Sequence, residues 1–312
     1  MMEQAMLDDA FRKKLREAIS GDVLFDEPLS RYTSLGVGGK ADAVIFPKNG
    51  EELSRVVACL GEEAVPFMPV GNGTNLIVRD GGYRGVVISL RELHDLRMEE
   101  GAGGAICVHA EAGAPLAEVV GLSLREGIAG MEFCAGIPGS VGGAVKMNAG
   151  AYGREIKDVV EKVAFMTGKG EFLEQDRGSL DFTYRRLALP PDLLILAAAF
   201  SLTRGDREEI RKKVEKILAL RKEKHPLMYR NAGSIFKNPP GISAGRIIDE
   251  TGLKGLQTGD ARISEMHGNF IVNLGRAKAG DVLALIDTVK KRVFEERGIV
   301  LETEVCIIGE DR

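Results

Sequence analysis

The chain has no apolar run approaching the length of a membrane span, so membrane insertion is not expected. It has no basic stripe of the kind that neutralises a nucleic-acid backbone, and its formal net charge is −4. Nucleic acid is therefore not an expected partner. The N-terminal stretch MMEQAMLDDAFRKKLREAIS has neither an apolar core nor a cleavage site, so it does not read as a signal peptide. It reads as a short amphipathic helix carrying Phe11, Leu15 and Ile19. Cysteine is scarce: Cys59, Cys107, Cys134 and Cys306 are scattered, with no CxxC or zinc-ligand spacing. No metal site is expected. Each thiol has apolar neighbours, the pattern of buried reduced cysteines in a cytoplasmic protein. Internal repeats and low-complexity segments are absent.

What is present is the balance of a soluble globular protein, 44% apolar and 28% charged. A length of 312 residues allows two or three compact units. ADAVIFP, PFMPVG, VVISL and AICVHA read as short strands. EELSRVVACL puts Leu53, Val56, Val57 and Leu60 on one helical face, and PLAEVVGLSLREG is a helix stopped by Gly127. VVEKVAFMTG, GEFLEQD and LLILAAAFSLTRG read as strands of a second lobe. A charged helix, REEIRKKVEKILALRKEKHP, turns Ile210, Val214, Ile217 and Leu218 to a core and ends at Pro226. DVLALIDTVKKRVFEERG buries Val282, Leu285, Ile286, Val289 and Val293 and is closed by Gly298. The chain is expected to finish on a strand, IVLETEVCII. The class is α+β or α/β with small βα units, with a boundary near Gly205.

The 39 glycines are clustered, as in loops that hug a ligand. PVGNGTNLIVRDGGYRG holds Gly71, Asn72, Gly73, Thr74 and Asn75 ahead of an apolar strand. GIPGSVGGAVKMNAGAYG holds Gly136, Pro138, Gly139, Ser140, Gly142, Gly143, Ala144 and Asn148, followed by Tyr152. One such loop is explained by a tight turn or by close packing of two backbones. Two in one α+β unit suggest a long phosphate-bearing ligand, such as a dinucleotide-like cofactor on backbone amides. Two other glycine patterns are set aside. GVGGKA, Gly36 to Ala41, has the spacing of a dinucleotide fingerprint, but the strand follows it instead of preceding it. GISAG, Gly241 to Gly245, has the spacing of a hydrolase elbow, but Pro239 and Pro240 stand where its strand must be. A triad of Ser243, Asp260 and His267 has the right chain order and little else.

TSLGVGGKADAVIFP, PVGNGTNLIV, GMEFCAGIPGSVGGAVKMNAGAYG, YRR, NAGSIFKNPPG and LETEVCIIG occur in one order between residues 33 and 309. Together they resemble the UDP-N-acetylenolpyruvoylglucosamine reductase family, flavoenzymes of peptidoglycan synthesis. The resemblance implies a two-lobed FAD-binding unit of the vanillyl-alcohol oxidase (PCMH) type, followed by an α+β substrate-binding domain. The implied division is 1–92 and 93–204 for the flavin lobes, 205–298 for the substrate domain, and 299–312 returning to the first lobe. The short link from Arg185 to Ser234 resembles the family's type II form. The implied cofactors are non-covalent FAD and NADPH, and the implied partner is a small nucleotide sugar. His94 and His109 lie between the glycine loops, and spacing leaves them open as flavin attachment points.

The implied reaction saturates an enol ether. Hydride reaches C3 of an enolpyruvyl group, carbanion character develops at C2, and a proton must arrive there. Arg185 matches the family's active-site arginine, suited to gripping a carboxylate, with Tyr184 beside it as a substrate contact. Its neighbour Arg186 reads as surface charge. Ser234 matches the family's proton donor; apart from the resemblance it reads as a turn residue after Gly233. Glu304 matches the catalytic glutamate. In a strand it shares a face with Val300, Glu302, Cys306 and Ile308, and Glu302 lies nearer the solvated end. Among Lys222, Lys224, Arg230, Lys237, Arg246, Lys254 and Arg262, Lys237 with Asn238 is the chosen contact for the diphosphate. Arg230 and SEMHGNF depart from the family's usual pattern. A different flavin oxidase on the same FAD unit and a non-catalytic flavin or nucleotide-sugar binder remain the rival readings.

Overall fold

A computed structural model describes residues 7–101 and 104–311. These form two compact units, each assembled from several stretches of chain. The first takes in the chain as far as Phe25, Ala43–Asn72 and Gly85–Ala219. The second takes in Asp26–Asp42, Gly73–Arg84 and the chain from Leu220 onward. The implied division is 1–92 with 299–312 returning to it, 93–204 and 205–298. Residues 1–6, 102, 103 and 312 of those blocks lie outside the described residues.

In the first unit, helix α1 (Asp9–Ala18) is started by Asp8, whose carboxylate accepts from Phe11 N at 2.7 Å. Phe11, Leu15 and Ile19 are buried, as the sequence period requires. Helix α2 (Gly50–Glu62) is capped by Asn49 and buries Leu53, Val56, Val57 and Leu60 completely. Strands Val23–Pro28, Lys40–Ile45, Tyr83–Ser89 and Phe67–Val70 pair in that order. A larger antiparallel sheet runs Phe172–Asp176, Val160–Met166, Leu194–Arg204, Ala105–Glu111 and Leu96–Glu100. Helix α3 (Leu116–Glu126) ends on Gly127 at φ 67, the left-handed stop that its sequence position predicts. Helix α4 (Val141–Lys146) is short and follows the second glycine loop.

Helix α5 (Arg207–Lys224) buries Ile210 and Val214, while Leu218 is 45% exposed, contrary to expectation. Residues 210, 214 and 217 follow one helical stripe, and Leu218 lies a step around from it. The cysteine expectation also needs correcting: Cys59 and Cys134 are buried, Cys107 is half-buried and Cys306 is exposed. All four are free.

The second unit has its own apolar core, formed by Leu35, Val37 and Ile77 with residues from Ala232 to Val305. Strands Arg230–Asn231, Ile271–Asn273, Ala261–Ile263 and Gln257–Thr258 form its antiparallel sheet. Helix α6 (Ala244–Glu250) and helix α7 (Ala279–Arg297) pack with it. The α7 N-terminus is satisfied by Asp80, which accepts from Ala279 N at 3.1 Å and Gly280 N at 2.9 Å. The terminal strand is much shorter than expected. Only Cys306–Ile308 is extended and paired, in parallel with Leu76–Val78. Residues 299–305 form no paired strand, although burial still alternates: Leu301 and Val305 are buried, while Val300 and Glu302 are exposed. Their amides and carbonyls are bonded singly to residues 235–237, with Thr303 forming one isolated bridge to Phe236.

His225, His267 and Phe270 form a ring cluster in this unit, with centroids 4.9 to 5.6 Å apart. Burial, reinforced by Arg221, His267 and Lys224, pushes the His225 imidazole down to about 4. In the unfolded chain the same ring takes up a proton near 6.5. Between those values the unfolded state binds more protons, so stability falls as the pH is lowered from about 6.5 towards 4. His225→Phe is expected to flatten that part of the pH dependence. Urea midpoints at pH 7, 6 and 5 measure it, and parallel curves for both proteins would count against the assignment.

Candidate active site

The second glycine loop is fastened to the chain that leaves strand Ala105–Glu111. Gly142 N donates to Ala112 O, Val141 N to Ala114 O, and Leu116 N to Gly139 O, each at 2.9 to 3.0 Å. A Cβ on Gly142 would meet that of Ala112 at 2.8 Å, so protein packing alone explains this glycine. A Cβ on Gly71 would collide with Ser140 Oγ, which brings the two sequence-predicted loops against each other. Ser140 is buried and caps α4 by accepting from Gly143 N. Gly143 is different. It is exposed, and its Cβ would meet only Ser140 Oγ, at an ordinary 3.6 Å. No neighbour in the protein accounts for the bare backbone there, which fits a surface kept clear for a cofactor. Gly136 and Pro138 are exposed at the rim, and Ala144 is buried beneath.

Asn148, also placed among the cofactor contacts by the sequence, is completely buried. Its Nδ2 donates to Glu155 Oε2 and to Thr183 O, and its Oδ1 accepts from Lys157 N, all at 3.0 Å. After it the chain makes a small hairpin in which Tyr152 and Gly153 both have positive φ, 55° and 80°. Tyr184 and Arg185 form the two-residue tip of another hairpin, Phe182–Thr183 with Arg186–Leu187. Arg185 has φ 60°, a left-handed conformation unusual for arginine. It is half-buried and its guanidinium lies 5.0 Å from the Tyr184 ring centroid, while Arg186 is exposed. Backbone in this region persists only where the surroundings hold it, and such positions concentrate at functional sites.

In the second unit the first glycine loop and the other two catalytic candidates converge. Asn72 lies just before this stretch and is half-buried, as is Thr74. Gly73 has φ 60° and abuts Tyr32 O. Asn75 Nδ2 donates to Glu304 O at 3.1 Å, and Asn75 O accepts from Cys306 N at 3.0 Å. Glu304 N donates to Ile235 O at 2.8 Å. Ser234 precedes that peptide and is half-buried, set off by Gly233 at φ 74° and by Asn231, whose Oδ1 accepts from Gly233 N. Glu304 N is thus bonded to the carbonyl of the residue that follows Ser234.

The brace behind them, Asn269, escaped the sequence reading. It is buried, and its carboxamide pairs with both ends of Phe236, accepting from N at 2.9 Å and donating to O at 2.8 Å. Its own carbonyl accepts from Ile235 N at 2.9 Å. The only signal was an asparagine directly ahead of the apolar run FIV. Lys237 pairs with exposed Glu302 at 3.2 Å, and Asn238 Oδ1 accepts from Ala244 N. The hydrolase elements are engaged elsewhere. Ser243 caps α6, Asp260 accepts from Arg276 N, and His267 Nδ1 accepts from Asn269 N.

With this geometry in place, comparison with known proteins identifies the class. A profile described as FAD binding domain matches residues 41–176, making the chain a flavin-dependent oxidoreductase. A second profile, UDP-N-acetylenolpyruvoylglucosamine reductase, C-terminal domain, matches residues 225–308. The chain belongs to the UDP-N-acetylenolpyruvoylglucosamine reductase family. It is 56% identical over 311 residues to the enzyme so named in Syntrophus aciditrophicus, covering 99% of this chain and 100% of that one. It is 44% identical over 299 residues to the one in Caldanaerobacter subterraneus subsp. tengcongensis, covering 95% and 97%. The crystal structure of UDP-N-acetylenolpyruvylglucosamine reductase from Thermus caldophilus aligns with a TM-score of 0.78 and 39% identity, covering 93% and 99%. The α+β class with an FAD-binding portion, expected from the sequence, holds.

Among the described residues no helix is long and apolar enough to cross a membrane, and no cluster of His, Cys, Asp and Glu could hold a metal ion. Two glycine variants separate packing from ligand. Gly71→Ala is expected to destabilise the flavin-free protein by about 1–3 kcal/mol, because it forces Ser140 aside. Gly143→Ala is expected to leave that stability within about 0.5 kcal/mol and to weaken FAD binding instead. Urea unfolding and titration with FAD followed by flavin fluorescence read the two effects. Unchanged FAD affinity in Gly143→Ala would place the flavin elsewhere.

Proposed function

We propose that this chain reduces the enolpyruvyl group of UDP-N-acetylglucosamine-enolpyruvate to give UDP-N-acetylmuramate, with NADPH as reductant and FAD as a non-covalent cofactor. The observation that carries the reading is the bond from Glu304 N to the carbonyl of Ile235, the residue that follows Ser234, within the segment matched by the family's C-terminal domain. In this reading the stretches 71–75 and 136–144 hold the flavin, and residues 205–298 take the nucleotide sugar. The partner is a small molecule, not nucleic acid, and the work is done in the cytoplasm, in keeping with four free cysteines.

FAD, when bound, supplies the hydride relay from NADPH to C3 of the enolpyruvyl group. The residues supply the rest. Arg185 is permanently charged and can take a carboxylate through two parallel N–H bonds. Held there, it stabilises the negative charge that spreads from C2 into the substrate carboxylate as C3 is reduced. Tyr184, partly exposed at the same hairpin tip, flanks the bound group. Ser234 Oγ delivers the proton to C2. A serine hydroxyl is a weak acid in water, but an enolate carbon is a strongly basic acceptor. Among the described residues the protein makes no hydrogen bond to this hydroxyl, so it is available to the substrate. Glu304 works from the adjoining backbone, its main chain held on one side by Ile235 and on the other by Asn75. Lys237 meets the diphosphate in competition with Glu302, whose side chain is 72% exposed and yields readily to solvent.

The reaction has two halves, and Ser234 belongs to the second. Ser234→Ala is expected to leave bleaching of the flavin by NADPH nearly intact. Reoxidation by the enolpyruvyl substrate should fall by about a hundredfold to ten-thousandfold, the usual loss for a missing general acid. Stopped-flow absorbance separates the halves, and equal slowing of both would make the serine structural. The two neighbouring glutamates give a further contrast. Glu304→Gln should damage turnover far more than Glu302→Gln, with flavin content unchanged in both. Steady-state assays in which the Glu302 variant is the worse would remove Glu304 from the site.

A further inference from the structure

Asn148 has no surface of its own, yet none of its amide protons is left for a cofactor: both go to Thr183 O and Glu155 Oε2. Its backbone has φ 40°, a left-handed turn at the end of α4 that asparagine tolerates better than most residues. Thr183 is the residue immediately before Tyr184–Arg185. The hairpin it belongs to has only two paired residues on each side, Phe182 with Leu187 and Thr183 with Arg186. A ladder that short does not hold its own tip.

Its support comes from outside. Arg177 lies over the Phe182 ring at 4.9 Å, and its Nε donates to Lys157 O at 3.0 Å. Asn148 holds the other end of Lys157, accepting from its N–H, while it grips the hairpin at Thr183. One carboxamide therefore ties three stretches together: the glycine-rich segment that ends at α4, the turn at Lys157, and the hairpin tip bearing Arg185.

We propose that Asn148 is a positioning residue that sets Arg185 in register with the glycine-rich loop, so that the substrate carboxylate is gripped at a fixed place relative to the flavin. The inference rests on the role given above to Arg185. It reassigns Asn148 from touching the cofactor to acting through the arginine.

Asn148→Gly removes the carboxamide and keeps the left-handed turn accessible. FAD content and bleaching by NADPH should stay within about threefold of the parent, while reoxidation by the enolpyruvyl substrate should fall about tenfold to a hundredfold, the scale of a misplaced reacting group. In an Arg185→Ala background the same change should cost less than about threefold more, since there is no arginine left to position. If Asn148→Gly does not fold, Asn148→Asp carries the same test, because it keeps the shape and the acceptor but not the donor to Thr183. Loss of FAD, or equal slowing of both halves, would overturn the proposal in favour of a cofactor or purely structural role. Equal losses with and without Arg185 would overturn it as well. Failure of the underlying reading looks different: Arg185→Ala alone would then leave reoxidation intact.

Discussion

The carboxamide of Asn269 pairs with both ends of the Phe236 peptide as a neighbouring strand would, but from a side chain. The catalytic candidates depend on bonds of this kind. Regular strands put residues on alternating faces at a fixed rise, which suits a core. The segments 231–237 and 299–305 leave that regularity almost entirely. Their polar backbone must still be satisfied, and a buried amide left open costs about 1–3 kcal/mol. Asn75 and Asn269 meet that need at Glu304 and Phe236, and Asn148 and Asn273 do the same at Thr183 and Leu35, outside those segments. A carboxamide has a donor and an acceptor at one end of a short stem, so it can stand in for a missing peptide partner without adding charge.

This division explains what the sequence could and could not tell. Helices α2, α3 and α7 were legible because burial repeats at a helical period, and Gly127 and Gly298 sit at the left-handed stops where α3 and α7 end. The glycine loops were legible as a pair, and the contact of Gly71 with Ser140 brings them together. Period alone failed at the C-terminus. LETEVCII alternates like a strand, but only Cys306–Ile308 joins a ladder, with Leu76–Val78, while Glu302, Glu304 and Val305 bond singly to residues 235–237, far off in sequence. Asn269 and the brace formed by Asn148 were invisible for the same reason. Nothing local in NAGA or HGNF distinguishes an asparagine that binds a ligand from one that binds a distant carbonyl. The candidate residues themselves came from the resemblance of whole motifs; burial or spacing alone would have left Ser234 as a turn residue.

Gly71 and Ser140 illustrate a second constraint. Anything larger than hydrogen at position 71 displaces the Ser140 hydroxyl, which also caps α4. A smaller residue at 140 would make room but remove the cap. Neither position can change alone without loss, whereas Gly143, one turn away, is held by no such neighbour.

The interleaving of the two units bears on how the chain leaves the ribosome. All of the first unit's stretches have been made once Ala219 has emerged, so its core can close early. The second unit cannot. Leu35, Val37 and Ile77 are synthesised early, but the residues that cover them, from Ala232 to Val305, come last. Until then these apolar side chains lack their cover, and a nascent chain stalled before residue 232 carries three core side chains with nothing to close on them. The order of synthesis therefore leaves Leu35, Val37 and Ile77 without their cover until the segment from Ala232 to Val305 has been made.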